Sequence, residues 1–371
     1  MSNDKNYFSS HIRESMQVLP NIFQKPLTIM TGKPISGQSR IKLPAITEFI
    51  LTVLIFITST LGAILLLPYI PDILWFIIIP ICWVITVGCL RKMQVTYAHH
   101  AVHRCLFNSN KLLNRVMLAL CTIIPVSQNG RDYTVDHLGH HDEKNFTTEE
   151  DSDAAFLKTL GFIPGMPVSY YKKLLFLTII SPMFHLRFFW SRINSFIFRG
   201  SLIESLFAII WLAILIVPVF FEPVLSILCI YIPYFVIYHI SSLLQFLTEH
   251  AWLITKHSPK DLDDYARRCW GRFTGEIYPT NSNILSKISW WLKMLFFHAP
   301  CRIMILCGDL PVHDWHHLAG ELGQSSIYWQ NSIYLRQQAV MTPNEKIVLQ
   351  EIWGIRNMVM NSFISLSKAE V

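Results

Sequence analysis

Residues 73–103 read ILWFIIIPICWVITVGCLRKMQVTYAHHAVH. An apolar run from Ile73 to Leu90, with Pro80 inside it, meets Arg91-Lys92 and then a cluster of histidines. If the helix continues past Leu90, His99 sits about 13 Å above the end of the run, just outside a bilayer. Upstream, Ala45 to Leu67 holds no Lys or Arg and spans about 35 Å as a helix, enough to cross. Pro68 to Asp72 makes a tight turn between the two runs. Downstream, Ser201–Val219 and Pro223–Leu247 repeat the arrangement, joined by Phe220, Phe221 and Glu222. The sequence therefore predicts two transmembrane helical hairpins; buried helices of a soluble core are the alternative reading of each run.

Charge placement argues for the membrane independently. All 31 Lys and Arg fall outside the stretches between Lys42 and Arg91 and between Arg199 and Lys256. With both tight turns on the far side, every positive charge lies on one face, which the positive-inside rule makes cytoplasmic. Both termini and the two long connections, 91–200 and 256–371, share that face. The chain is 52% hydrophobic and 15% charged over 371 residues, with a mean hydropathy of +0.36. That excludes a disordered protein, a nucleic-acid-binding arm and an ordinary soluble enzyme. The net charge of +6 fits a cytoplasmic membrane face better than a nucleic-acid partner.

Two further apolar stretches are interrupted. Leu174–Trp190 contains Pro182, His185 and Arg187, and Ile284–Cys307 has apolar residues at helical spacing beside Lys287, Lys293 and Arg302, with a Trp290–Trp291 pair. A basic amphipathic helix with tryptophan lies in the interface more readily than it crosses, so both are expected there, with one extra span each as the alternative. The first 40 residues are polar, with Pro20, Pro26 and Pro34, no apolar core and no visible cleavable signal peptide. Eight cysteines form no CxxC pair, which argues against a disulfide framework, a zinc ribbon or an iron–sulfur site. No internal repeat or low-complexity tract appears. One domain over 1–371 is expected: an N-terminal segment 1–44, the hairpins 45–90 and 201–247, and cytoplasmic segments 91–200 and 248–371. The tail after Trp353 is uninformative.

Three histidine clusters stand on the predicted cytoplasmic side: His99-His100-Ala101-Val102-His103, His137-Leu138-Gly139-His140-His141 and His313-Asp314-Trp315-His316-His317. With 15 His in the chain, an HxxxH arises by accident roughly 0.6 times, so the first alone means nothing. Two HxxHH clusters arise by accident only about 3 times in 10,000. Together they are a signal. Residues at i, i+3 and i+4 share a helix face, so each cluster can aim its imidazoles at one place. Eight ring nitrogens exceed the four that one tetrahedral zinc takes, and suit two first-row metals with open positions.

HxxxH, HxxHH and HxxHH in this order, among apolar hairpins, resemble the membrane fatty acid desaturase superfamily over roughly residues 45–320. The segment from His140-His141 through Phe146-Thr147-Thr148-Glu149 to Asp151-Ser152-Asp153 is similar to the one that family carries there. The resemblance implies an all-α membrane protein of four transmembrane helices in two hairpins, with a cytoplasmic helical cap holding a histidine-rich non-haem di-iron site. Two irons with O2 as co-substrate would remove hydrogens from an acyl chain. The implied ligands are His99, His103, His137, His140, His141, His313, His316 and His317. The family often adds a ligand near the end of the fourth span, where His250 stands; a helix-end histidine facing the interface is the alternative. His100 points about 100° away from His99 on a helix. His239, inside the fourth span, either lines the substrate path or is a satisfied packing residue. His11, His185, His257 and His298 read as ordinary.

Metal-bound His usually donates its outer N–H to an acceptor. Asp136, Asp142, Glu249 and Asp314 adjoin the clusters and are candidates, with solvated surface charge as the alternative. The run Glu149, Glu150, Asp151 and Asp153 reads as a solvated loop. No haem segment, GxGxxG or cysteine cluster is present, so reductant must come from a separate ferredoxin- or cytochrome-type protein, with Arg267, Arg268 and Arg272 as a docking site. The substrate carrier (lipid, acyl-CoA or acyl-carrier protein) is not legible. Three functions stay open: desaturase; hydroxylase or ketolase of a lipid or carotenoid-like substrate; and a non-enzymatic His-rich membrane metal-binding protein, including a transporter or an inactive scaffold. A transporter would want polar ligands near mid-bilayer, where the spans offer only His239 and Glu204.

Overall fold

Four long apolar helices answer the sequence pattern, in a computed structural model that describes residues 11–39, 43–107, 110–252, 257–318, 326–341 and 349–369. They run Ala45–Tyr69, Asp72–Val102, Leu202–Phe220 and Pro223–Glu249, each long and apolar enough to cross a membrane. The second does continue past Leu90, without a break through His99. Arg40 and Gly320, at the limits of the sequence readings above, lie outside the described residues.

The contacts gather into two compact units. One comprises Lys42–His137 and Leu177–Leu243. Within it, Thr52 meets the Tyr97 hydroxyl at 3.0 Å, Ser59 meets Thr86 at 2.9 Å, and Trp83 Nε1 donates 2.6 Å to the Leu228 carbonyl. These polar pairs let helices of hydrocarbon-like surface recognise one another where the hydrophobic effect gives no preference. Pro182–Arg199 follows Val168–Ile180 at a 70° bend, so the Leu174–Trp190 stretch is a broken pair of helices rather than one straight element. His239 is fully buried and accepts from Arg192 Nη1 at 2.7 Å; its Nδ1 lies 3.4 Å from His185 Nδ1, and His185 Nε2 donates to the Ile179 carbonyl at 3.0 Å. His239 is thus a satisfied packing residue, and His185, read as ordinary, is its partner.

The other unit comprises Met1–Ile41, Leu138–Phe176 and Leu244–Val371. Its core joins Ile12, Met16 and Leu27 to Phe273, Trp290, Met294, Val312, Trp315 and Trp353. The N-terminal segment therefore has core residues after all: Ile12, Met16 and Leu27 join this cluster, while Val18, Ile22 and Ile29 stay exposed. Arg13 is buried beside them, donating to the Lys33 and Gln24 carbonyls. An all-α reading misses one small feature, a parallel pair of strands, Gly271–Phe273 with Glu351–Trp353. The tail beyond it forms the helix Ile355–Lys368, whose Ser362 hydroxyl donates 3.0 Å to the His250 carbonyl. Ile284–Lys293 exposes Ile284, Leu285, Ile288 and Leu292 while burying Trp290 on the core. Trp353 is 1% exposed and packs its ring 5.3 Å from Phe273. Trp353→Ala should therefore cost about 3–5 kcal/mol through the cavity it leaves, read as a fall in thermal midpoint.

Candidate metal centre

His137 and His140 of the second histidine cluster ride on the helix Gly130–His140, and His141 follows its end. That helix is anchored by its sequence: Asn129 Oδ1 accepts from Asp132 N at 2.9 Å, and Glu204 Oε1 from Gly130 N at 3.1 Å. Tyr133 donates 3.0 Å to the Gln94 carbonyl and stacks its ring on His137. In this unit the ring nitrogens of His99, His103 and His137 lie within 4.8 Å of one another. The Nε2 atoms of His103 and His137 approach to 2.8 Å. His100 turns aside, with its Nδ1 3.5 Å from Cys105 Sγ.

In the other unit, His140, His250, His313 and His317 form a second group within 4.8 Å. His250 and His140 meet through Nε2 at 3.2 Å, and His317 and His313 through Nε2 at 3.0 Å. Three of the four rings hold Nδ1 outward: His140 on Asp151 Oδ2 at 3.0 Å, His250 on the Arg268 carbonyl at 3.3 Å, and His317 on the Tyr265 hydroxyl at 2.8 Å. An imidazole engaged at Nδ1 presents its Nε2 lone pair to a cation. The donor set fits a first-row metal such as iron. His141 and His316 fall outside this group of four, with their rings 4.8 Å apart, although the His141 ring stacks 4.3 Å from that of His317. Each HxxHH is thus divided rather than aimed at one place. The helix ends at His140, and the turn that begins at His141 lets the two rings face different ways.

The carboxylates sort differently from their adjacency. Asp151, read as part of a solvated run, is fully buried; Oδ2 also accepts from Thr147 N at 2.9 Å, and Oδ1 caps Asp153 N at 3.0 Å. Thr147 needs a positive φ of 58° to bring its N–H there, a strained setting for a β-branched residue. Glu249 is buried, with Oε1 3.2 Å from His313 Nε2 and 3.5 Å from Arg272. Asp142 is exposed and caps Lys144 N; Asp136 is exposed and takes the Gln128 amide. Asp314 faces Arg336. Arg268 and Arg272 are buried, so with Arg267 they make no surface patch for an electron donor. Asp151 had a signal in the sequence, its place in the segment after the second cluster; Tyr265 and Arg336 had none.

Burial holds His250, His313 and His317 well below the ordinary imidazole range, helped by His140, Arg272 and His141 respectively. They are neutral and ready to ligate. Burial would lower His140 too, but Asp151 outweighs it and raises it to about 10. In the metal-free protein the His140–Asp151 pair therefore adds stability below the ordinary 6.5, lost as pH rises through about 10. A metal must displace that proton. Metal uptake near pH 7 should release a proton from His140 and tighten toward pH 10, which calorimetry in buffers of different protonation enthalpy would read.

Residues 73–318, more than half of the chain and all three histidine clusters, match the family model described as fatty acid desaturase. The chain belongs to the fatty acid desaturase family. Comparison with curated proteins gives no match. Membership in the desaturase family gives the histidine groups an oxidoreductase setting and the four apolar helices a multi-pass membrane setting.

Proposed function

We propose that this chain is an O2-dependent acyl-chain desaturase. The observation that carries the reading is the four-imidazole group with three Nδ1 atoms engaged outward, in a member of that family. We assign one iron to His140, His250, His313 and His317, and propose the remaining histidines of the three family clusters, His99, His103, His137, His141 and His316, as further ligands of the iron pair. The bound pair would supply O2 activation and removal of two hydrogens from neighbouring carbons, with two electrons from a separate ferredoxin- or cytochrome-type donor. The chain's own part is to orient the rings: Asp151, the Arg268 carbonyl and Tyr265 hold Nδ1 so that Nε2 faces inward. Glu249 sets its carboxyl beside His313, and burial keeps water from the group. The whole chain acts as one catalytic domain, and a hydroxylase or ketolase would use the same ligands.

Mass spectrometry of cells with and without the protein decides between these activities. A product lighter by two hydrogens supports the desaturase, one heavier by an oxygen the hydroxylase. Bound iron without O2 consumption would leave only a metal-binding protein.

The four apolar helices are proposed as two hairpins, with both termini and the metal groups cytoplasmic, and with Leu174–Trp190 and Ile284–Cys307 in the interface. The clusters serve one centre, so the number of crossings between them is even. Cysteines introduced near Ser152 and near Gly320 should be blocked by an impermeant reagent from the same side. Blocking from opposite sides would refute the topology and the shared centre together.

A further inference from the structure

The third histidine cluster sits on a helix of six residues, His313–Leu318, too short to hold its own direction. Its apolar side chains pack on two separate clusters, Trp315 on one and Leu318 on the other. Such contacts are non-directional and leave the rotation of the helix loosely set. Arg272 Nη2 donates 2.9 Å to the Leu310 carbonyl just before the helix. Arg336 grips the helix itself, with Nε 2.9 and 3.0 Å from the two Asp314 oxygens and Nη2 2.7 Å from Oδ2. The same guanidinium reaches Glu351 Oε1 at 3.2 Å and the Gln350 carbonyl at 2.7 Å. Glu351 in turn receives Lys33 Nζ at 2.7 and 2.9 Å.

Lys33, Glu351, Arg336 and Asp314 alternate in sign, sum to zero and are all buried. Four buried charges are a poor way to gain stability, since apolar residues of similar volume do as well. A forked guanidinium–carboxylate contact does fix an angle, which apolar packing does not. Lys33, Arg336 and Glu351 all lie outside residues 73–318, so the family-matched region alone does not contain this grip.

We propose that Arg336 is a positioning residue for the metal centre: through Asp314 it sets the rotation of the His313–Leu318 helix, so that His313 and His317 face His140 and His250. The proposal rests on the metal-centre reading above. The test titrates metal-free full-length protein with Co2+, whose visible bands report ligand geometry. The cobalt held by the four-histidine group is identified as the band lost in His250→Ala.

Arg336→Gln leaves Asp314 buried and uncompensated, so Asp314→Asn/Arg336→Gln is the informative variant: it removes both charges and restores stability relative to the single change. It should still bind that cobalt about 10- to 100-fold more weakly, with shifted bands. Arg336→Lys, which keeps the charge and loses the fork, should shift the same bands at a smaller cost in stability. A stable double variant with wild-type affinity and spectrum overturns the proposal, as does an unshifted spectrum for Arg336→Lys. Cobalt binding unchanged in His250→Ala overturns the metal-centre reading instead.

Discussion

His140→Ala should abolish product formation, by at least about a hundred-fold, and reduce iron from two per chain to one or none. His140 is the hinge of the four-imidazole group. Its Nε2 faces His250 at 3.2 Å, and its Nδ1 is the partner of a fully buried carboxylate. Truncation removes a ligand and leaves Asp151 buried without its cation, so the variant should also unfold more easily. His298→Ala is the matched control. His298 is buried, accepts from Gly275 N at 3.1 Å and meets Glu276 at 3.3 Å, and among the described residues it belongs to no metal-competent group. It should lose stability and keep its iron. Iron by elemental analysis and product by mass spectrometry separate the two. Turnover retained by His140→Ala, or active protein holding one zinc and no iron, would refute the ligand assignment.

Asp151→Asn should weaken metal binding by about 10- to 100-fold with all histidines in place. One carboxylate oxygen accepts from both His140 Nδ1 and Thr147 N, and the other caps the helix Ser152–Thr159. An amide has one acceptor oxygen. If it keeps the cap, its NH2 faces two donors; if it serves His140, the cap is lost. Either choice costs about 1–3 kcal/mol and frees His140 to rotate. Cobalt titration of metal-free protein beside a thermal melt reads both effects. Unchanged affinity would mean that the His140 ring is oriented by packing alone, against Phe146 and Trp252.

The parts written in periodicity and composition were legible. The four apolar helices and the three clusters follow from runs and spacings that need no tertiary knowledge. What escaped depends on partners distant in sequence. Asp151 looked solvated because it sits among Glu149, Glu150 and Asp153; only the turn through Thr147 carries it inward. Arg268 and Arg272 looked like surface charge, yet they spend their donors on Thr147 and the Leu310 carbonyl. Glu351, just before the uninformative tail, and Ser362 within it find their partners in Lys33 and His250, which no local pattern links to them. Adjacency misled at Asp314 for the same reason: the side chain next to His313 turns to Arg336.

The long helix Asp72–Val102 is not uniform. Met93–Ala98, directly before His99, is π-helical. A π turn closes its hydrogen bonds one residue later than an α turn. The segment therefore winds more slowly and stores on the order of one residue of slack. Chain length is negotiable there: dropping a single residue from 93–98 lets the segment tighten to α-helix and leaves His99 and His103 facing where they did. The same deletion between His99 and His103 has no slack to draw on and would throw the two imidazoles out of step.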